Sequence, residues 1–64
     1  MNKDQKQQRF IRLMDEQLLS ALDVSIMLNR SESRVFGWRS AHEIPDHMLE
    51  LFEIKVKKLE EDSH

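Results

Sequence analysis

Apolar residues recur along the chain at intervals of three and four positions, the spacing that puts side chains on one face of an α-helix. A stripe of this kind predicts a first helix from about Gln5 to Gln17, with Asp4 as its N-cap. The apolar members of the stripe are Phe10, Leu13 and Met14. Three basic residues are expected outside it: Lys6, Arg9 and Arg12.

A second helix is predicted from Ala21 to Leu28, because Ser20 and Asp23 have the spacing of a capping box, with Asp in place of the usual Glu or Gln. Nearly every residue of this helix is apolar, which predicts burial on most of its sides. The large apolar residues are Leu22, Val24, Ile26, Met27 and Leu28. Asn29 is expected to end the helix, because asparagine tolerates the left-handed conformation of a helix stop.

A third helix is predicted from Glu32 to about Ser40, with Ser31 as its N-cap. Val35 and Trp38 are three positions apart and should share one face. The opposite face is small and polar, and it carries Ser33, Gly37 and Ser40. The chain therefore contains two short helices that are separated by a turn of three residues, 29–31.

Pro45 separates these elements from a last helix, predicted from about Asp46 to Glu60. Its apolar stripe consists of Met48, Leu49, Phe52, Val56 and Leu59. Leu51 and Ile54 fall beside the stripe and widen the apolar arc to about 220°, more than one core contact needs. Residues 60–64 are predicted to form a solvated tail.

The composition favours one all-helical domain spanning residues 1–64. Leu, Ile, Val and Phe make up 18 of the 64 residues, which is above the roughly 20% below which charged chains stay disordered. One Gly and one Pro argue against a turn-rich β protein. We therefore expect a compact fold of four helices, with five as the alternative.

The cellular setting is predicted from what the sequence lacks. There is no cysteine, so disulfides and thiolate zinc sites are excluded, which suits a reducing cytoplasm. No apolar run exceeds three residues, which argues against a membrane span. The net charge is −2, yet residues 1–42 hold seven Lys and Arg against five acidic residues. This distribution predicts a modest cationic face and an acidic tail that points elsewhere.

Two short helices joined by a three-residue turn have the arrangement of a helix-turn-helix. The match extends beyond that arrangement to Leu19 through Ser31, followed by Val35, Trp38, Pro45, Leu49 and Phe52. In these residues the chain resembles the phage-repressor and Cro-type, lambda-repressor-like helix-turn-helix family. The resemblance covers about residues 9–59. The sequence departs from the family's pattern at Leu18, Asn29 and Ala41, which stand where the family often has Gly, and at Ala21, which replaces Gln.

The resemblance implies that residues 20–40 form the helix-turn-helix and that the third helix lies in a DNA major groove. It places Glu32, Ser33 and Gly37 at base-reading positions, and Ser20 and Ser40 as phosphate contacts beside the groove. The implied DNA-binding set is Ser20, Ser31, Glu32, Ser33, Arg34, Phe36, Gly37, Arg39 and Ser40. This interpretation requires the side of the helix that carries Ser33 and Gly37 to be uncovered.

The residue types allow these roles, although two of the side chains also suit a role without DNA. Glu32 can accept a hydrogen bond from cytosine N4, but a carboxylate in a first turn also stabilises the helix dipole. Phe36 can contact a thymine methyl group or a partner protein. Arg34 and Arg39 can bind guanine or a phosphate.

Leu51 and Ile54 are interpreted as a dimer interface, with coverage of the first helix as the alternative. A two-fold homodimer would hide these side chains and present two recognition helices about 34 Å apart, one turn of DNA. The expected function is therefore a sequence-specific regulator of transcription. It would be a dimeric repressor from a phage or mobile element, bound to an inverted-repeat operator on double-stranded DNA in the nucleoid of a bacterial cytoplasm.

Other classes of function are less well supported by the sequence. His42 and His47 do not have helical ligand spacing, so no metal site is expected. No catalytic residues, cofactor or small-molecule ligand is expected in a domain too small for a deep pocket, and the protein is not expected to be an enzyme. The alternative function is a protein-interaction module, such as an antitoxin or antirepressor, with a vestigial helix-turn-helix.

Overall fold

The computed structural model describes residues 2–62, which form four α-helices and no strand. The helices are α1 (Lys3–Glu16), α2 (Ala21–Leu28), α3 (Glu32–Ser40) and α4 (Asp46–Asp62). The all-helical prediction is confirmed, and α2 and α3 have their predicted bounds. The prediction that residues 60–64 form a tail is wrong for residues 60–62, because α4 continues through Asp62. Residues 63–64 lie outside the described residues. No helix in residues 2–62 is both long and apolar enough to cross a membrane.

The prediction that Asp4 caps α1 is wrong, because the N-cap is Asn2. The Asn2 side chain accepts a hydrogen bond from the Gln5 backbone N–H at 2.8 Å, and the Gln5 side chain accepts one from the Asn2 N–H at 3.2 Å. This reciprocal capping box lets the helix begin at Lys3, so Asp4 lies within the first turn. There its carboxylate faces the positive end of the helix dipole.

The caps of α2 and α3 follow the prediction. The Ser20 hydroxyl accepts from the Asp23 N–H at 3.1 Å, and the Asp23 carboxylate accepts from the Ser20 N–H at 3.0 Å. Asn29 ends α2 in the left-handed conformation, with φ 54° and ψ 50°. Ser31 then accepts from the Arg34 N–H at 3.2 Å and starts α3. The turn between the two helices is thus closed at both ends by local hydrogen bonds.

The core contains buried side chains from all four helices, and the Phe10 ring joins three of them. That ring makes edge contacts with Trp38 of α3, at 5.9 Å between centroids, and with Phe52 of α4, at 5.1 Å. The buried apolar residues are Phe10, Leu13, Met14, Ala21, Val24, Leu28, Val35, Trp38, Ile44, Met48, Leu49, Phe52 and Val56. The predicted stripes of α1 and α3 are therefore confirmed, as is that of α4 apart from Leu59, which is 40% exposed.

Two further burial predictions are wrong. The side of α2 that carries Leu22 and Ile26 is open, with these side chains 54% and 72% exposed, so α2 is not buried on most sides. Lys6, expected outside the α1 stripe, is buried. Its ammonium lies 2.9 Å from a Glu43 carboxylate oxygen and 2.7 Å from one of Asp46. This pairing with the loop after α3 and with the first residue of α4 compensates the buried charge.

These ion pairs make stability depend on pH. Hydrogen bonds to Asp46 and then to Glu43 raise the pKa of Lys6, and the hydrogen bond from Lys6 lowers the pKa of Asp46. A lowered carboxyl pKa contributes stability that is present above about pH 4 and is lost as the pH falls through the folded-state pKa. A raised Lys pKa contributes stability that is lost only as the pH rises above about 10.

We expect Lys6→Met to flatten the dependence of unfolding free energy on pH below about pH 4, because the pKa of Asp46 then returns toward its ordinary value. Urea unfolding at pH 7 and pH 3 measures this. Lys3→Met is the matched control, since Lys3 is exposed on the same helix. The lowered pKa of Asp23, caused by the Ser20 hydrogen bonds, leaves some acid sensitivity in both variants. If Lys6→Met and the wild type showed the same dependence of unfolding free energy on pH, the stabilising role of the Lys6–Asp46 ion pair would be contradicted.

Candidate nucleic-acid interface

One side of α3 is buried and the other faces outward. Val35 and Trp38 anchor the helix in the core, at 0% and 4% exposure. The exposed residues on the outer side are Glu32, Ser33, Arg34, Phe36 and Ser40. Ser33 is therefore uncovered, as the sequence-based interpretation requires, whereas Gly37 is partly covered. The chain presents a helix of nine residues with its outer face free along most of its length.

Three hydroxyl groups of the implied DNA-binding set also serve the fold. Ser20 and Ser31 accept backbone hydrogen bonds as N-caps. Their hydroxyl protons remain available, because a capping oxygen acts as an acceptor. Ser40 donates to the Phe36 carbonyl at 2.9 Å, which leaves its oxygen lone pairs. Ser20 and Ser31 could donate to a phosphate, and Ser40 could do so only after giving up its bond to Phe36.

The two arginines of α3 have different surroundings. Arg34 is exposed and makes no ion pair within residues 2–62. The Arg39 guanidinium lies 3.9 Å from the Asp15 carboxylate of α1, and the Arg39 carbonyl accepts from the Gln7 side chain at 2.8 Å. Arg39 is thus turned toward α1, while Arg34 is the unpaired cation of α3.

The basic residues of α1 and the turn are also partly engaged. Arg9 donates a hydrogen bond to Glu53 of α4 at 2.7 Å, and this hydrogen bond raises the pKa of Arg9. Arg30 donates to the Asn29 carbonyl at 2.9 Å and remains exposed. Arg12 is exposed as well. Outside α3, the exposed cation that lies nearest to this helix in the chain is therefore Arg30 of the turn, whose hydrogen bond is to the neighbouring residue and not to another helix.

His42 lies against Gly37, a contact that the sequence pattern did not predict. A Cβ added at Gly37 would come within 2.9 Å of the Cδ2 atom of the His42 ring. The backbone N–H of His42 donates to the Gly37 carbonyl at 2.8 Å, and the chain folds back immediately after α3. The glycine has a negative φ, so it is the space for this ring and not backbone conformation that accounts for it. A solitary glycine inside a helix was the only sequence signal of a close contact.

An open cleft of about 500 Å³ runs beside this contact. It lies between α3 and the loop that follows. Its lining consists of Ser31, Ser33, Arg34, Trp38, His42, Glu43 and Pro45. Hydrogen-bond donors and acceptors thus line a shallow concave surface that joins the outer side of α3 to the loop.

The two residues assigned to a dimer interface are in different environments. Leu51 is half-buried and packs against the core. Ile54 is 65% exposed. It shares a shallow depression with charged side chains of the same helix, namely Glu50, Glu53 and Lys57. Only Ile54 therefore offers a substantial apolar surface on this part of α4.

No cluster of three or more His, Cys, Asp or Glu side chains that could hold a metal ion occurs among residues 2–62. Comparison with known proteins finds no family model, curated protein or solved structure that matches this chain.

Proposed function

We propose that this protein binds double-stranded DNA in a sequence-specific manner and regulates transcription, with α2 and α3 as a helix-turn-helix of the lambda-repressor-like type. The observation that carries the proposal is the exposed outer side of α3, a helix held in the core by Val35 and Trp38. An α-helix with one free side fits the major groove of B-DNA. Capped ends at Asn29 and Ser31 support a defined orientation of α3.

The exposed side chains are suited to DNA edges. Glu32 can accept from cytosine N4, Ser33 can bond to several bases, and Phe36 can contact a thymine methyl group. Arg34 has no ion pair in the described residues, so its charge is available to a phosphate or guanine. Because the chain has a net charge of −2, affinity would depend on these local contacts. The part of the affinity that comes from phosphate contacts would fall with added salt.

Selection from random DNA duplexes, followed by sequencing, tests the proposal. We expect enrichment of an inverted repeat, because two copies of α3 would read equivalent half-sites. Recovery of a single unrepeated motif would support DNA binding by a monomer and contradict the dimer. Failure of the folded protein to enrich any sequence at low salt would contradict the proposed function.

The dimer is part of the proposal and has its own test. Ile54→Glu should convert a dimer into a monomer and reduce binding to the inverted repeat, because burial of a charge without a partner is unfavourable at a two-fold interface. Sedimentation velocity measures the change. Ile26→Glu is the matched control, because Ile26 is equally apolar and exposed but lies on α2. A loss of dimer in Ile26→Glu alone would move the interface to α2.

A second function is favoured by one observation. Leu22 and Ile26 lie one turn apart on the open side of α2 and expose a narrow apolar surface. Such a surface is typical of a protein-binding helix, as in an antitoxin or antirepressor. Leu22→Glu tests this second function. If the substitution abolished repression while the selected DNA site and the affinity for it were unchanged, binding of a partner protein by α2 would be required in addition to DNA binding.

A further inference from the structure

The outer side of α3 is continued by a residue that is not part of the helix. Gly37 has no side chain, and the position that its Cβ would occupy lies 2.9 Å from His42 Cδ2 and 3.7 Å from His42 Cγ. The imidazole therefore fills the space directly above residue 37. The backbone N–H of His42 donates to the Gly37 carbonyl at 2.8 Å, which fixes the two backbones relative to each other.

The His42 ring has unused hydrogen-bonding capacity. His42 is exposed, and neither ring nitrogen has a hydrogen bond or ion pair within residues 2–62. The ring also lines the open cleft with Ser33 and Arg34, both of which belong to the exposed side of α3. His42 is thus an imidazole on the same surface as the residues assigned to DNA.

We propose that His42 is a base-reading residue, placed over Gly37 so that the loop supplies the side chain that α3 lacks at that position. This inference rests on the proposed function, because it assumes that the outer side of α3 enters a major groove. Imidazole has a ring N–H donor, and both purines present N7 as an acceptor in the major groove. The chemistry assigned to His42 is therefore recognition of a purine through N7.

The same arrangement accounts for the glycine. A larger residue at position 37 would push the ring away from the helix, because the Cβ contact would be shorter than packed carbon atoms allow. Gly37 costs helix stability relative to alanine. In return, the absence of a side chain at position 37 lets the imidazole of His42 lie close to the helix backbone. A larger residue there would hold the ring further out.

The first test repeats the random-duplex selection with His42→Ala. We expect the variant to enrich the wild-type site with one purine position per half-site made degenerate and with affinity reduced about tenfold or more, the usual range for one base contact. His47→Ala is the matched control, because His47 is an exposed histidine on α4. If His42→Ala enriches the same DNA sequence as the wild type, the inference is overturned. This includes the outcome in which affinity falls equally for all sequences, because that pattern indicates a lost phosphate contact.

The second test is a double-mutant cycle between the two residues. Gly37→Ala should displace the ring and make the same base position degenerate, whereas Gly37→Ala added to His42→Ala should cause no further loss at that position. The melting temperature gives a readout without DNA. Alanine at position 37 should raise it more in the His42→Ala background, where no ring is displaced. Additive effects in both readouts overturn the inference.

The outcomes separate this inference from the proposed function. A wild-type chain that enriches no DNA sequence contradicts DNA recognition as a whole. Enrichment by the wild type, with an identical site selected by His42→Ala, overturns the role of His42 alone. Circular dichroism confirms that each variant is folded, which is expected because His42 is exposed and Gly37 is half-exposed.

Discussion

Phe10→Ala is expected to leave a large fraction of the protein unfolded at 25 °C. The Phe10 side chain is 0% exposed and its ring contacts Trp38 and Phe52, so it connects α1 with α3 and α4. Truncation of a buried phenylalanine costs about 3–5 kcal/mol, because the cavity only partly collapses. A single core of this size supplies a net stability of about 3–5 kcal/mol. Urea unfolding followed by far-UV circular dichroism measures the loss.

Phe36→Ala is the matched control, since it makes the same chemical change on α3 at a side chain that is 56% exposed. We expect it to change the free energy of unfolding by less than about 1 kcal/mol, as is usual for surface substitutions. Comparable losses for the two variants would mean that Phe10 is not at the centre of the core. A loss confined to Phe10→Ala would show that the stability of the fold depends on the buried ring that joins α1 to α3 and α4.

Arg34→Glu is expected to weaken DNA binding by roughly 10- to 100-fold at moderate salt, because it replaces an attractive contact with a repulsive one. Arg34 is exposed and unpaired among residues 2–62, so the substitution breaks no ion pair there. The free energy of unfolding should therefore stay nearly constant. Fluorescence anisotropy with a labelled duplex, repeated over a series of salt concentrations, measures both the affinity and its salt dependence.

Arg39→Glu serves as the control for net charge, because it makes the same change five residues further along α3. The Arg39 guanidinium is directed toward Asp15, so we expect a smaller loss of DNA affinity than for Arg34→Glu. The same substitution brings two carboxylates together and should reduce stability slightly. Equal affinity losses for both variants would indicate a response to overall charge. No loss for either variant would contradict the proposed function.

The helix ends of this protein were predictable because they depend on residues close together in the chain. The Ser20 capping box, the helix stop at Asn29 and the cap at Ser31 act on backbone groups within four positions. These signals located both ends of α2 and the start of α3. The cap of α1 was missed because Asn2 and Asp4 are both suitable cap residues. The reciprocal hydrogen bonds between Asn2 and Gln5 decide between them.

The candidate site was predictable only in part. Helical periodicity was enough to place Val35 and Trp38 inside and Ser33 outside, because the sides of one helix are related by a fixed rotation. It could not distinguish the surroundings of Arg34 and Arg39, since the partner of Arg39 is on α1. The contact of His42 with Gly37 was equally hidden, because it depends on the path of the loop after α3.

By itself, the sequence determined the helical class of the protein, the turn between α2 and α3 and most of the core, all of which follow from local caps and apolar spacing. Tertiary structure alone decided which side chains are paired and which are open. Lys6 is buried because its ammonium forms an ion pair with Asp46, which is 40 positions away in the chain. Leu22 and Ile26 are exposed because no helix among residues 2–62 covers that side of α2. Residue spacing specifies one helix face at a time, whereas these outcomes depend on how separate helices approach one another.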